Sequence, residues 1–253
     1  MRHRLLVVPA VIIALAVIAG CGADGTTEAA PPSAVSTTSE TPEEGAAPTD
    51  LDGCVTASDA TLSTNEAEST VARVAIMGDG DVGVVISYET SRNVCPWLPL
   101  AERLVEAGYR VLLYDTVSGT ATDHVVDRAA LLREQGVDHI VLVGGSLGGA
   151  ASIVAATEIQ PAVTAVVSLS GGGIDTVDAA PMITMPLLQV VAEDDSPFAG
   201  AAVQNDAAAT QSPGRELLVL PGRVHASRFF ESPDAEQVLT AVVEFIQAHA
   251  AAG

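Results

Sequence analysis

The sequence predicts an α/β fold in which helices flank a mostly parallel central sheet. Short, continuous apolar runs, typical of strands buried on both faces, alternate along the chain with longer segments of helical character. The stretch from residue 51 to residue 253 has the length of one domain and is long enough to bury a substantial core. We therefore expect a single α/β domain over this part of the chain.

The predicted elements follow one another in a regular order. Residues 71–77 and 82–88 are expected to form an antiparallel opening pair, because Gly78 and Gly80 between them indicate a turn. Further strands are predicted near 110–114, 139–143, 163–169, 187–192 and 216–220, and helices near 98–107, 124–135, 147–159, 198–209 and 234–250. Only the short segment 171–186 separates two of these strands at the place where a large cap domain would be inserted. The sequence therefore predicts an open site without such a cap.

The segment from residue 140 to residue 149 carries the strongest chemical signal in the chain. Four apolar residues are followed by Gly-Gly-Ser-Leu-Gly-Gly, and a helical stretch of small residues comes next. Ser146 thus lies in a Gly-x-Ser-x-Gly motif between a strand and a helix, the arrangement of a nucleophile elbow. Glycines beside the serine permit a sharp turn and a close approach of strand and helix. A tight turn with a bystander serine is the alternative, since a glycine-rich chain produces this pattern by chance.

A base and an acid follow Ser146 in an order that suits this motif. The apolar run 186–192 leads to a cluster of three acidic residues, and the run 216–222 leads to His225. The carboxyl ends of parallel strands meet at the same edge of a sheet, so these side chains are expected to converge. A histidine with a pKa near neutrality can remove the serine proton, and a carboxylate behind it fixes the tautomer.

Asp195 is the preferred acid of the cluster. Ser196 and Pro197 follow it and signal a turn, whereas Asp194 is expected to be a solvated neighbour and stays open as an alternative. The Glu193 side chain should alternate to the opposite face of the strand from Asp194. The candidate catalytic residues are therefore Ser146, Asp195 and His225. The other histidines are weaker candidates, among them His124, which is expected on a helix surface.

These features together resemble the α/β-hydrolase fold superfamily over roughly residues 70–250. The similarity is greatest to small, cap-less members of the superfamily, such as dienelactone-hydrolase-like enzymes. The early strand at 82–88 and the helix–strand unit at 97–115 resemble the corresponding units of those proteins. The resemblance implies a serine hydrolase in which the three candidate residues act as nucleophile, orienting acid and base.

The resemblance also implies an oxyanion hole, with one departure from the family pattern. One backbone N–H should come from Leu147, which follows the nucleophile, and the other from the loop after the early strand, where Thr90 has the expected place and Glu89 is the alternative. The family's His-Gly at the end of that strand is Tyr88-Glu89 here. Because dienelactone-hydrolase-like proteins also carry a glutamate there, Glu89 is a candidate site residue, together with Tyr88.

The N-terminal segment predicts export. Arg2 and Arg4 precede an apolar run over residues 5–18, and small residues follow before Cys21, so that residues 1–20 are expected to be a signal peptide. The end of this segment resembles a bacterial lipobox, which implies cleavage before Cys21 and lipid attachment to its thiol. An ordinary signal peptide or a short membrane span is the alternative, although the run is short for a span. The resemblance places the protein on the outer face of the cell membrane.

The segment 21–50 and the remaining cysteines agree with that location. After the cysteine this segment is rich in Thr, Ser, Pro, Ala and Glu and holds no aromatic residue, so it is expected to be a disordered tether with an r.m.s. span of about 30 Å. Cys54 and Cys95 then remain as an even pair in an oxidising compartment, and we expect a disulfide between them. The folded domain is assigned to residues 51–253.

The charge of the chain limits its partners. Its net charge is −21, which disfavours nucleic acid and other anionic polymers. We find no clustered metal-ligand pattern and no phosphate-binding loop with lysine, so neither a metal nor another cofactor is expected, and a monomer is favoured. The preferred interpretation is an exported, membrane-tethered serine hydrolase that acts on a small-molecule or lipid ester or a related acyl bond. The alternatives are a catalytically silent lipoprotein with a binding or envelope-structural role, and an acyltransferase.

Overall fold

Residues 48–251 are described by a computed structural model of the chain. The predictions of a signal peptide, of a lipid on Cys21 and of most of the tether lie outside these residues. Within 48–251, no helix combines the length and the apolar character that crossing a membrane requires.

An eight-stranded sheet forms the centre of this part of the chain. Its strands are β3 (Thr61–Glu66), β4 (Val71–Met77), β5 (Val82–Ser87), β6 (Arg110–Ser118), β7 (His139–Gly145), β8 (Ala165–Leu169), β9 (Leu187–Ala192) and β10 (Arg215–Leu220). A separate two-stranded hairpin, β1 (Asp50–Leu51) and β2 (Val55–Thr56), precedes them. The order is β10-β9-β8-β7-β5-β6-β4-β3, parallel from β10 to β6 and antiparallel from β6 to β3.

Helices cover both faces of this sheet. They are α1 (Leu98–Glu106), α2 (Ala121–Glu134), α3 (Leu147–Glu158), α4 (Ile174–Ala179), α5 (Phe198–Ala208) and α6 (Ala235–His249). Alternate residues of each central strand face opposite sides: Val141 packs in the core under α1 and α6, whereas Leu142 packs in the core under α2 and α3. The predicted α/β class, with a mostly parallel sheet flanked by helices, is confirmed.

The predicted antiparallel opening pair is wrong. β4 pairs with β3 and β6, and β5 lies between β6 and β7 with parallel neighbours on both sides. All residues of β5 are buried, as a central strand requires. The glycines at 78 and 80 do not close a hairpin. Gly80 lets the chain cross the start of β6, because a methyl group at this position would overlap the carbonyl oxygen of Gly108.

The sequence-based prediction also missed elements that lack a strong apolar pattern. The edge strand β3 is mostly polar and none of its residues is buried, so it lacks the apolar pattern by which the other strands were predicted, although it pairs with β4 along its whole length. The short helix α4 lies within the segment between β8 and β9, for which the sequence predicted no helix or strand. His124, expected on a helix surface, is buried, and its ring stacks on Tyr114 at a centroid distance of 5.5 Å. Desolvation is the main reason that the pKa of His124 lies below its usual value.

The predicted disulfide between Cys54 and Cys95 is formed, with a Cα–Cα distance of 5.8 Å. It joins the β1–β2 hairpin to the segment that leads into α1. A second contact supports the same junction, since the Val94 N–H donates to the carboxylate of Asp52 at 3.1 Å. Leu51 of the hairpin is fully buried in the core beneath α1 and α6. The hairpin is therefore held to the domain both by the disulfide and by the packing of Leu51.

Replacing both cysteines by alanine is expected to lower the free energy of unfolding by about 2–4 kcal/mol. The disulfide closes a loop with a sequence separation of 41, and its removal returns chain entropy to the unfolded state. Denaturant unfolding of the full-length protein measures the change, and reduction of the wild type should give the same midpoint as the C54A/C95A variant. An unchanged midpoint in both experiments would contradict a stabilising disulfide.

Candidate active site

The turn between β7 and α3 holds Ser146 in a strained conformation. Its φ is 50° and its ψ is −113°, values that a residue with a side chain adopts rarely. The Ser146 N–H donates to the carbonyl of Leu169 at 2.9 Å, which fixes the turn to β8. Gly148 packs so closely on β5 that a methyl group there would overlap the carbonyl oxygen of Ser87. The Gly-x-Ser-x-Gly segment therefore forms the sharp strand-to-helix turn that the sequence predicted.

The three acidic residues after β9 occupy different environments. Asp195 is buried, with 8% of its surface exposed, whereas Glu193 and Asp194 are exposed. The carboxylate of Asp195 is hydrogen-bonded to Nδ1 of His225 at 2.8 Å. The structure thus brings together the preferred acid and the predicted base, and leaves Asp194 in solvent.

The histidine loop lies against the serine turn. Ala226, which follows His225, packs on Gly145 just before the serine: a methyl group at Gly145 would be 3.0 Å from the Ala226 side chain. The Ala226 N–H donates to Oγ of Ser170 at 3.2 Å, so the loop is also attached to the end of β8. Within residues 48–251, the Ser146 hydroxyl makes no hydrogen bond with His225. Catalytic hydrogen bonds are often long in unliganded enzymes and tighten in the substrate complex.

Glu89 has a buried carboxylate with several partners. One oxygen accepts a hydrogen bond from Nε1 of Trp97 at 3.0 Å, and the other accepts one from the hydroxyl of Ser227. The guanidinium of Arg92 lies 3.7 Å from the same carboxylate. Trp97 and Ser227 are themselves fully buried. Glu89, a candidate site residue from the sequence, therefore links the loop after β5 to the loop that carries His225.

The two segments expected to supply the oxyanion donors line one cavity of about 290 Å³. Its lining includes Leu147 from the serine turn and Tyr88 and Thr90 from the loop after β5. Tyr114 forms part of its wall and donates from its hydroxyl to Ser87 at 2.8 Å. Burial raises the pKa of the Tyr114 phenol to about 12, so the phenol keeps its proton at neutral pH. The cavity therefore meets the serine turn where a developing oxyanion would need donors.

A second cavity, of about 450 Å³, was not foreseen from the sequence. Its wall includes Phe198, whose ring packs on the imidazole of His225 at a centroid distance of 4.5 Å. Phe198 is the first residue of α5 and lies three positions after Asp195. No chemical motif marks Phe198, and the only local signal is that Asp195-Ser-Pro is followed at once by an aromatic residue.

The sequence of residues 114–252 matches the Dienelactone hydrolase family, and this span is more than half of the chain. The chain belongs to that family. The matched span contains Ser146, Asp195 and His225, whereas Glu89 and Thr90 precede it. The expectation drawn from the resemblance is therefore confirmed at the level of the family, and the protein is a member of a hydrolase family.

Solved structures of other hydrolases share the fold of this dienelactone hydrolase family member. Dienelactone hydrolase from Anabaena variabilis aligns with a TM-score of 0.59 at 21% identity, over 76% of this chain and 98% of the other. The esterase Pf2001 of Pyrococcus furiosus aligns with a TM-score of 0.63 at 17% identity, over 75% and 93%. The monoacylglycerol lipase of Paleococcus ferrophilus aligns with a TM-score of 0.62 at 17% identity, over 70% and 98%. No curated protein matches the sequence.

Near the site of this family member, the guanidinium of Arg92 is paired with two carboxylates. Arg92, which lines the cavity beside Leu147, donates to Glu231 at 2.7 Å in addition to its ion pair with Glu89. Between residues 48 and 251, no three His, Cys, Asp or Glu side chains are grouped as a metal ion would require.

Proposed function

We propose that this member of the dienelactone hydrolase family is a serine hydrolase that cleaves an ester or a related acyl bond. One observation carries the proposal: the buried carboxylate of Asp195 is hydrogen-bonded to Nδ1 of His225, in a loop that packs beside the strained Ser146. Because Nδ1 is engaged by the carboxylate, the proton on the ring is held there and Nε2 is left as the base. This is the tautomer that a serine nucleophile needs.

The reaction proceeds in two halves. Oγ of Ser146 attacks the acyl carbonyl while His225 takes its proton, and the N–H groups of Leu147 and Thr90 stabilise the oxyanion. Collapse of this intermediate breaks the bond to the leaving alcohol, which receives the proton from His225. Water then attacks the acyl-enzyme with His225 as base, and the acid product leaves as Ser146 regains its proton. Asp195 stabilises the imidazolium in both halves.

The N-terminal segment supports a location for this activity. We include in the proposal that the chain is exported, that lipid on Cys21 anchors it to the outer face of the cell membrane, and that residues 21–50 tether the domain. Acyl chains contribute about 0.8 kcal/mol for each buried CH₂, so that two chains give stable anchoring. The substrate would then be a small-molecule or lipid ester that reaches the cell envelope, and the working form would be a monomer.

Labelling of the full-length protein with a fluorophosphonate tests the reaction. We expect a covalent adduct on Ser146, located by mass spectrometry, because the probe reacts with a serine whose proton is removed by a neighbouring base. The adduct should be absent in S146A and reduced by at least about a hundredfold in rate in H225A. As a matched control, S69A alters an exposed serine between β3 and β4, and its labelling should equal that of the wild type.

A catalytically silent binding role is the second candidate, and one observation favours it. Tyr88-Glu89 replaces the His-Gly expected at the end of β5, in the loop that would supply an oxyanion donor. A folded wild-type protein that takes no label at Ser146 would overturn the hydrolase proposal and support the binding role.

A further inference from the structure

The cavity lined by Phe198 and the cavity lined by Leu147 differ in the side chains that line them. The side chains that line the Phe198 cavity are apolar or small, chiefly Val177, Ala201 and Gly172, with the amide of Gln204 as the exception, and among the described residues none of them is charged. The cavity that includes Leu147 holds hydroxyl groups and the charged pair of Glu89 and Arg92. Apolar groups of a substrate would thus be favoured on the Phe198 side and polar groups on the other.

The position of the imidazole determines which part of an ester meets the apolar cavity. In the first half of the reaction His225 gives its proton to the oxygen of the leaving alcohol, so that oxygen must lie beside the imidazole. The carbonyl oxygen points instead toward the N–H of Leu147. Phe198 packs directly on the imidazole and begins the wall of the apolar cavity. The alcohol portion of the ester therefore departs past Phe198.

We infer that the cavity between α4 and α5 is the subsite for the alcohol portion of the substrate, and that it selects uncharged, apolar alcohols larger than ethanol. This inference rests on the proposed function and adds the substrate class. Although the net charge of the chain is −21, the subsite does not favour cationic alcohols, because its described lining carries no carboxylate.

The same subsite also provides for acyl transfer. After the first alcohol leaves, a second apolar alcohol can occupy its place beside His225. His225 removes the proton of this alcohol, whose oxygen forms a bond to the acyl carbon. The bond between the acyl carbon and Oγ of Ser146 then breaks, and Oγ regains the proton. The products are a new ester and free enzyme, so transfer competes with hydrolysis wherever such alcohols are present.

Butyrate esters of ethanol, butanol and hexanol test the subsite in the full-length protein. We expect kcat/KM to rise about threefold for each methylene added to the alcohol, as burial of apolar surface requires. Ala201 is half-buried in α5 and packs directly on Gly172 in the wall of the cavity, since a methyl group at Gly172 would lie 2.5 Å from the Ala201 Cβ. A201L should therefore fill the subsite, lowering kcat/KM for the hexyl ester at least about tenfold while the ethyl ester stays within about twofold.

Two further variants separate filling of the subsite from loss of folding. Gly200 lines the same cavity, and a side chain there would meet no heavy atom within 4 Å of its Cβ, so G200L is expected to fold and to reduce the preference for hexanol as A201L does. Ala107 lines a cleft of about 440 Å³ between α1 and α6, under the other face of the sheet, and A107L is the matched control with unchanged selectivity. Added butanol should trap the wild-type acyl-enzyme as butyl ester more often than it traps A201L.

The outcomes separate this inference from the proposed function. Labelling of Ser146 together with the same kcat/KM for all three alcohols would overturn the alcohol subsite and leave the serine hydrolase standing. A201L and G200L that change the preference for the length of the acyl chain, with one fixed alcohol, would assign the cavity to the acyl group and also overturn the inference. Absence of both labelling and ester cleavage would overturn the proposed function itself.

Discussion

Replacement of Asp195 by asparagine is expected to lower kcat for ester cleavage by about four orders of magnitude. The carboxylate accepts the hydrogen bond from Nδ1 of His225 at 2.8 Å and so fixes the ring proton on the side away from the serine. An amide can donate to Nδ1 instead, which places the ring proton on Nε2 and removes the base that Ser146 needs. It also cannot stabilise the imidazolium that forms. Steady-state kinetics of full-length D195N with a butyrate ester measures the loss.

The neighbouring aspartate provides the matched control. Asp194 is exposed and carries the same side chain one position earlier, so D194N is expected to change kcat by less than about twofold. A loss in D194N that exceeds the loss in D195N would reassign the acid. Near-wild-type turnover in both variants would contradict a triad altogether, since the imidazole would then work without a carboxylate partner.

The serine turn could be predicted from sequence because its determinants are local. The apolar run of β7, the glycines beside Ser146 and the small residues of α3 are consecutive, and each obeys a rule of strand burial or of close packing. The choice of Asp195 over Asp194 followed from the turn signal of Pro197, and the hydrogen bond to His225 agrees with it. The disulfide also followed from a count of cysteines.

The contacts that hold the site together could not be predicted in this way because they join distant segments. Ser227 meets Glu89 across 138 positions of the chain, and Ala226 meets Ser170 across 56 positions. The wrong pairing of the first strands has the same origin. β6 follows β5 along the chain but lies between β4 and β5 in the sheet. No local sequence pattern near Gly78 and Gly80 indicates that a later strand separates β4 from β5. Long-range pairing is decided by the whole sheet and not by the turn alone.

Replacement of Glu89 by alanine is expected to lower the free energy of unfolding by about 2–6 kcal/mol, because each buried donor that loses its acceptor costs about 1–3 kcal/mol. The two donors are Nε1 of Trp97 and the hydroxyl of Ser227, and both residues are fully buried. Denaturant unfolding measures the change. E89Q should give a smaller loss, since a single amide oxygen can still accept one of the two hydrogen bonds.

The partners of Glu89 allow this prediction to be tested pair by pair. S227A removes one donor, and a double-mutant cycle of E89A with S227A should give a coupling of about 0.5–3 kcal/mol if the two side chains act through their hydrogen bond. W97F gives the corresponding cycle for the indole donor. Additive losses in both cycles, or an E89A protein that unfolds at the wild-type midpoint, would contradict the role of Glu89 as the link.

The same link has a consequence for catalysis. Glu89 lies between Tyr88 and Thr90 in the loop proposed to supply an oxyanion donor, and Ser227 lies two residues after His225. Loosening their contact moves the oxyanion donor and the base relative to each other, and a small misplacement of catalytic groups is costly in rate. We therefore expect kcat of E89A to fall about tenfold or more, with little change in KM, at a temperature where the variant is fully folded. If E89A kept the wild-type kcat under those conditions, Glu89 would contribute to stability alone. The two loops would then keep their catalytic positions without it.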